Sequence, residues 1–520
     1  MKKLLLTTGS AAALFAAGPA LAQANTSEVT QTGARGQVSV TQTGSLGDST
    51  VSQGGSSNAV TVSQSGAGAE SVITQDNGTG SSDDNNRANV TQDGDSYSSV
   101  TQVNDNAEAD VQQTGDDHSS TVFQTGDDDD ANIVQSNVSN TSMVIQSGNS
   151  NEADVLQSGV GNGSTITQSS GSNLASLDQT GDGNGSTIAQ RGLGLNSVNV
   201  LQSGAGNTSS VTQGGLLNEA GDASTADVRG VIQSGDGNTS TIIQNGGLQS
   251  AFVNQTGDDN RSDINQGGTI SAAHDASVTQ SGNNNQSDIV QRGALAEAVV
   301  IQSGDDNRSD IDQGGDISSD HRALVTQGTG DGNQADVLQR GYEQNAEITQ
   351  SGNLNIANVD QGRDQVFLGL GAGSDHDARI IQSGDQNEAE VDQRGEKQDA
   401  YIEQIGNLNV ALIDQGTNSG EDHFASATQI GSSNLAEFIQ RGADQFALVS
   451  QGGSNNDSWI NQSDSNNSAT VTQNGNWNDS TINQSGNGNL ANVSQHTDNN
   501  VSFVTQSGTG NSATVTQGGL

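Results

Sequence analysis

Gln506-Ser507-Gly508-Thr509-Gly510-Asn511-Ser512-Ala513-Thr514-Val515-Thr516-Gln517 is one clean copy of an eleven-residue unit. With its leading Gln at position 0, the unit reads Gln-x-Gly-x-x-Asn-x-Ala/Ser-x-Val/Ile-x, and the next Gln opens the next copy. Gln31, Gln42, Gln53, Gln64 and Gln75 keep the same interval, as do Gln429 through Gln517, and 42 glutamines stand in register. Position 9 is Val or Ile in 39 of the 42 units, the exceptions being Leu177, Ala427 and Phe438, so the period is set by side-chain type as well as spacing. Repeats of this kind are the mark of a stacked architecture.

Positions 5, 7, 9 and 11 share one parity, so an extended strand turns Asn, Ala/Ser, Val/Ile and Gln to one face. Thr, Asp, Asn, Glu and Ser occupy positions 6, 8 and 10 on the other. One strand carries too little apolar surface to fold alone, and stacking must supply the core. Position 2 is Gly in 33 units, and Asn77, Asn104 and Asn137 are among its replacements, which fits a turn with a left-handed backbone.

Two such strands joined by tight turns close a rung of 22 residues. The lengthened gaps argue for this pairing, because they follow Gln75, Gln213, Gln266, Gln313, Gln361 and Gln415, all odd-numbered units of the series. Extra residues in a two-strand rung would then leave from one edge. The expected fold is all-β, a β-solenoid of about 21 rungs with parallel stacking at roughly 4.8 Å. Columns of Gln and Asn inside it would hydrogen-bond along the axis, as in amyloid ladders.

Lys2 and Lys3, the apolar run Leu4–Ala17 and Ala20-Leu21-Ala22 read as a cleaved export signal, residues 1–22, ahead of a repeat domain over residues 23–520. Losing two lysines and no acid takes the formal charge from −45 to −47. That acidity argues against nucleic acid or an anionic membrane as partner, and no later segment is apolar enough to insert in a bilayer. Cysteine is absent and the only proline is Pro19, so no disulfide supports the fold and no ladder N–H is missing from the mature chain.

The unit closely resembles the curlin repeat of curli fibre subunits, and the resemblance runs from about Val29 to Gln517. It implies export, nucleated self-assembly on the cell surface, and fibres that act as biofilm matrix and adhesive, with nucleator and secretion-channel partners. The chain is longer and more acidic than such subunits, and the glycine-rich segment they carry after the signal is not evident between Gln23 and Val29.

No nucleophile–base set, phosphate loop or dinucleotide fingerprint occurs, so the expectation is a non-enzyme with no catalytic, cofactor or metal residues. His118, His274, His321, His376 and His423 each stand six residues before a repeat Gln, in place of the position-5 Asn. In one column they would lie about two rungs apart, too far to share one zinc ion. Corner histidines with a structural role are the expectation. The acidic runs Asp127-Asp128-Asp129-Asp130 and Asp83-Asp84 read as solvated turns, with Ca²⁺ as a possible partner, and Arg191, Arg292, Arg340, Arg394 and Arg441 at position 1 are placed to pair with acids of adjacent rungs. A rival function is a monomeric ice-binding protein or adhesin, suggested by Thr165/Thr167, Thr470/Thr472 and Thr514/Thr516, but Asp310/Asp312 and Glu390/Asp392 interrupt the array. Crowded charge further predicts that acid, salt and Ca²⁺ promote self-association.

Overall fold

The computed structural model describes residues 24–76, 84–220, 230–315, 319–362, 374–416 and 421–518. The export-signal reading falls on residues outside this set. Among the described residues there are strands and turns and no helix, and strands alternate between two parallel sheets as a β-solenoid of about 20 turns.

Alternation follows from the parity of the repeat. Strand Thr26–Gln31 pairs in parallel with Asp48–Gln53, Val29 opposite Val51 and Gln31 opposite Gln53, while Gln37–Gln42 pairs with Ala59–Gln64 in the other sheet. Each residue therefore meets its equivalent 22 positions on, one turn away. The chain divides into two compact units, Met1–Asp258 and Asp259–Leu520. The first has ten strands in its first sheet and the second has eleven.

In both units the inner face is the one the pattern demands. Val51, Val62, Ile73, Ile348 and Ile380 are buried, and so are the three exceptions Leu177, Ala427 and Phe438. Ala427 and Phe438 belong to successive strands of opposite sheets, a small and a large residue where the repeat otherwise puts two of middle size. Position 7 divides by sheet. It is serine through the first sheet of the first unit, as at Ser98, Ser120 and Ser142, and mostly alanine in the second sheet, as at Ala109, Ala131 and Ala153.

Glycine at position 2 answers two demands. Gly148 has φ 121°, and a Cβ built on Gly159 would stand 1.8 Å from the Gly181 carbonyl oxygen of the next turn. A second left-handed site lies two residues on, at Ser150 with φ 59°, where the pattern had no fixed residue. Leu195, Leu217 and Leu248 hold equivalent left-handed sites.

Five of the six lengthened gaps separate a first-sheet strand from the next second-sheet strand at its start. The one after Gln213 does not. Asn218 keeps its corner place, and Glu219–Ala220 and Val231–Ser234 both pair with the second-sheet strand Ser197–Ala205, so this gap falls between two parts of one strand position. The spacing between Gln213 and Gln233 records how many residues are added and is silent on which side of the corner they enter.

Candidate functional site

The inward glutamines form continuous amide ladders. In the first unit Gln135 Nε2 donates to Gln157 Oε1 at 2.8 Å, and Gln157 Nε2 donates to Gln179 Oε1 at 2.8 Å. The second amide hydrogen of Gln157 reaches the Thr141 carbonyl at 3.1 Å. Each buried amide is thus satisfied by the turn before, the turn after and the facing strand, which removes the cost of a polar core. The second unit has an equivalent ladder in its first sheet, from Gln313 to Gln339 at 2.8 Å and on to Gln361 at 2.9 Å.

The corners carry a second ladder. In the second unit the position-5 residue entering the first sheet is Asn on every turn from Asn260 to Asn500. Asn355 N–H donates to Asn333 Oδ1 at 3.0 Å, and Asn387 N–H to Asn355 Oδ1 at 3.0 Å. The amide nitrogen closes the turn, as when Asn355 Nδ2 donates to the Gly384 carbonyl at 2.8 Å. Asn supplies one acceptor and two donors at this reach.

The opposite corner of the second unit alternates: His274, Ala296, His321, Gln344, His376, Gln398, His423 and Gln445 occupy successive turns. Each of these histidines follows a lengthened segment. His274 Nδ1 accepts the Ala296 N–H, His376 Nδ1 that of Gln398, and His423 Nδ1 that of Gln445, all at 3.3 Å. An imidazole there does what Asn Oδ1 does elsewhere, as the neutral tautomer protonated on Nε2. Burial pushes each of the four pKa values down from 6.5 to about 4. His118 lies in the first unit at the other corner, where its Nδ1 accepts the Asn140 N–H at 3.2 Å. Among the described residues no group of three His, Asp or Glu is placed to hold a metal ion.

Two acids of the runs read as solvated turns are buried. Asp129 takes a position-5 corner place, where its Oδ1 accepts both the N–H and the Nδ2 of Asn151 at 3.0 Å, and burial raises its pKa to about 6. Asp84 Oδ2 accepts the Ser56 N–H at 2.6 Å. Four consecutive aspartates look like solvent-facing charge, yet the register assigns one of them inward. Asp83 lies outside the described residues.

Outside, the first sheet of the second unit carries acids turn after turn, Asp263, Asp288, Asp310 and Asp336 in one column. Position-1 arginines reach the acids that directly precede a repeat Gln: Arg292 pairs with Asp312 at 2.9 Å, Arg340 with Asp312 at 3.8 Å, and Arg441 with Asp414. These pairs are partly exposed, so each adds little to stability. Burial also raises the Asp392 pKa to about 6, the neighbouring Arg394 opposing it.

Strand edges are the remaining feature. Among the described residues, Thr26–Gln31, Gln37–Gln42, Val501–Thr509 and Ser512–Gln517 each pair on one side only. Val501 and Phe503 are 66% and 70% exposed there, against 38% for Ile356 at the position equivalent to Val501 within the stack.

No curated protein matches the chain. The family model of the curlin associated repeat matches residues 105–136, 235–268, 273–315, 330–362, 373–406, 384–416, 465–496 and 489–519. Those segments include Gln313, Gln339 and Gln361 and also Asn333, Asn355 and Asn387 of the ladders, and with eight such repeats along it the chain is a member of the curlin-repeat family.

Proposed function

We propose that the chain is the structural subunit of an extracellular, amyloid-like fibre of the curli type, exported behind a leader at residues 1–22 and folded over residues 23–520. Self-association forms the fibre, which serves as biofilm matrix and surface adhesive, with a nucleating protein and a secretion channel as further partners and Ca²⁺ as a screening cation. The observation that carries this reading is the union of in-register polar ladders with strands paired on one side only: each such edge offers the next copy the same row of amides and backbone groups that the previous turn offered it. A solenoid that holds its turns together by repeating one interface can add a second molecule by repeating it once more.

Electron microscopy of the purified secreted protein tests the proposal. Long unbranched fibres with a cross-β spacing near 4.8 Å are expected. Discrete short particles at all concentrations and salt levels would overturn it and leave the monomeric adhesin.

A further inference from the structure

The outer face of the first sheet differs between the two units. In the second unit it is acidic on turn after turn. In the first unit, from strand Tyr97–Val103 to strand Thr239–Gly247, seven consecutive turns present 21 outward positions ahead of the repeat Gln with no charged residue, thirteen of them Ser or Thr, and Arg191, just past Gln190, is the one charged residue on these strands. Tyr97, Phe123 and Met143 add exposed apolar surface at 37%, 41% and 37%. The second-sheet face of the same unit carries Glu108, Asp110, Asp130, Glu152, Asp154 and Asp178. In a chain of formal charge −45, such a stretch is a deliberate exclusion of charge.

We propose that this strip is a lateral docking face for a second copy of the same chain, the two first units packing face to face about a two-fold axis. Three observations carry the choice of occupant. Identical acidic chains repel wherever both present carboxylates, so a broad surface on which two copies can meet without that repulsion is an uncharged one. The dimensions suffice: strands of about six residues at 3.3 Å and seven turns at roughly 4.8 Å cover about 600–700 Å² per copy, or about 1,200–1,400 Å² in all, within the range of specific interfaces. The composition is mixed, because Met143, Ile145, Ile243 and Phe123 interrupt the hydroxyls. A regular lattice of threonines facing ice would not contain them, whereas a sheet-on-sheet protein contact uses hydroxyl and apolar side chains together. This contact is perpendicular to growth along the axis and does not depend on the fibre reading.

The test uses the full-length secreted protein. Thr165 and Thr187 sit in adjacent turns near the centre of the strip, at the repeat position where the second unit itself carries Asp263, Asp288 and Asp310. Aspartate is therefore compatible with the fold at these places. Sedimentation of the soluble protein is expected to give two chains for the wild type and one for T165D/T187D, with unchanged circular dichroism. The chain has no cysteine, so T165C reports the contact cleanly: a short bismaleimide should link T165C into pairs at least tenfold more than N132C, whose site faces outward from the second sheet. Equal linking of the two variants, a single-chain mass for the wild type at tens of micromolar, or wild-type adsorption to ice that T165D/T187D abolishes without any change of mass, would each overturn it. Because these readouts are taken on soluble protein, failure to form fibres leaves them interpretable.

Discussion

His376 and Gln398 stand on successive turns of one corner, and the Gln398 N–H donates to His376 Nδ1 at 3.3 Å. A proton on that nitrogen would turn an acceptor into a donor facing a donor. Burial accordingly holds the His376 pKa near 4, as it does for His274, His321 and His423.

The sign of the pH effect follows. The unfolded chain protonates these histidines as pH falls through 6.5, and the folded chain only near 4, so acid withdraws stability across that window, on the order of 3 kcal/mol per histidine at its lower end. Carboxylates act oppositely. Asp392, raised to about 6, holds its proton in the folded state over a range where the unfolded chain has lost it, and stability rises as pH falls through 6. The second unit has four such histidines against Asp392 and the smaller upward shifts of Asp288, Asp399 and Asp457, so mild acid should weaken it. The first unit has Asp129, Asp130 and Asp178 raised, and acid should strengthen it. Charge crowding alone predicts only the second behaviour. Thermal unfolding at pH 7 and pH 4.5 should show one transition falling and one rising, and replacing the four histidines by Asn, which keeps an acceptor, should abolish the fall. An unchanged pH profile in that variant would remove the histidines from the account.

Gln339 tests the ladder. It accepts from Gln313 Nε2 at 2.8 Å and donates to the Arg322 carbonyl and Gln361 Oε1, both at 2.9 Å. Gln339→Met keeps the length of the side chain and removes all three bonds, leaving buried partners unmatched. A loss of about 2–4 kcal/mol is expected, measured as a lower denaturation midpoint of the second unit. A loss below about 0.5 kcal/mol would mean the columns are held by backbone pairing alone.

Serine at position 7 makes the opposite prediction. Ser120, Ser142 and Ser164 are buried with no hydrogen-bond partner for Oγ, while the second unit places Ala335, Ala357 and Ala389 at the same repeat position of its own first sheet. Ser142→Ala should stabilise the first unit by about 1 kcal/mol. Destabilisation by a similar amount would reveal a hydroxyl chain along the column, of the kind that Ser71 and Ser49 form at 3.1 Å.

The register of Val29 with Val51 and of Gln31 with Gln53 was legible because the repeat fixes parity, and parity fixes which side chains face inward. The inward aspartate at Asp129 was hidden by its neighbours: local composition says solvent, and only the count from Gln124 says core. The Ser and Ala columns escaped because the consensus merges them, although they separate when odd and even units are read apart. The same separation exposes the uncharged strip, whose threonines and distant aspartates look like one interrupted array until each is assigned to its unit. The low pKa of His376 has no sequence signal beyond its position, since it arises from packing of the corner around the ring.

Growth along the axis makes the last prediction. Among the described residues, strand Ser512–Gln517 pairs with Leu490–Gln495 alone. The Leu490 N–H donates to the Asn511 carbonyl at 2.8 Å and the His496 N–H to the Gln517 carbonyl at 3.0 Å. In a parallel ladder bonding alternates along the strand, so the N–H groups of Thr514 and Thr516 point away from the Leu490–Gln495 partner, toward the place an added strand would occupy. Thr514→Pro with Thr516→Pro removes those two donors and none that the fold uses, and proline at a free edge is tolerated. Circular dichroism should be unchanged while seeded elongation at this end slows at least tenfold, seen as one-sided growth when labelled monomer is added to short seeds. If labelled protein adds to both ends of the variant seeds at the wild-type rate, this strand is not a growth edge, and the fibre is built through some other surface.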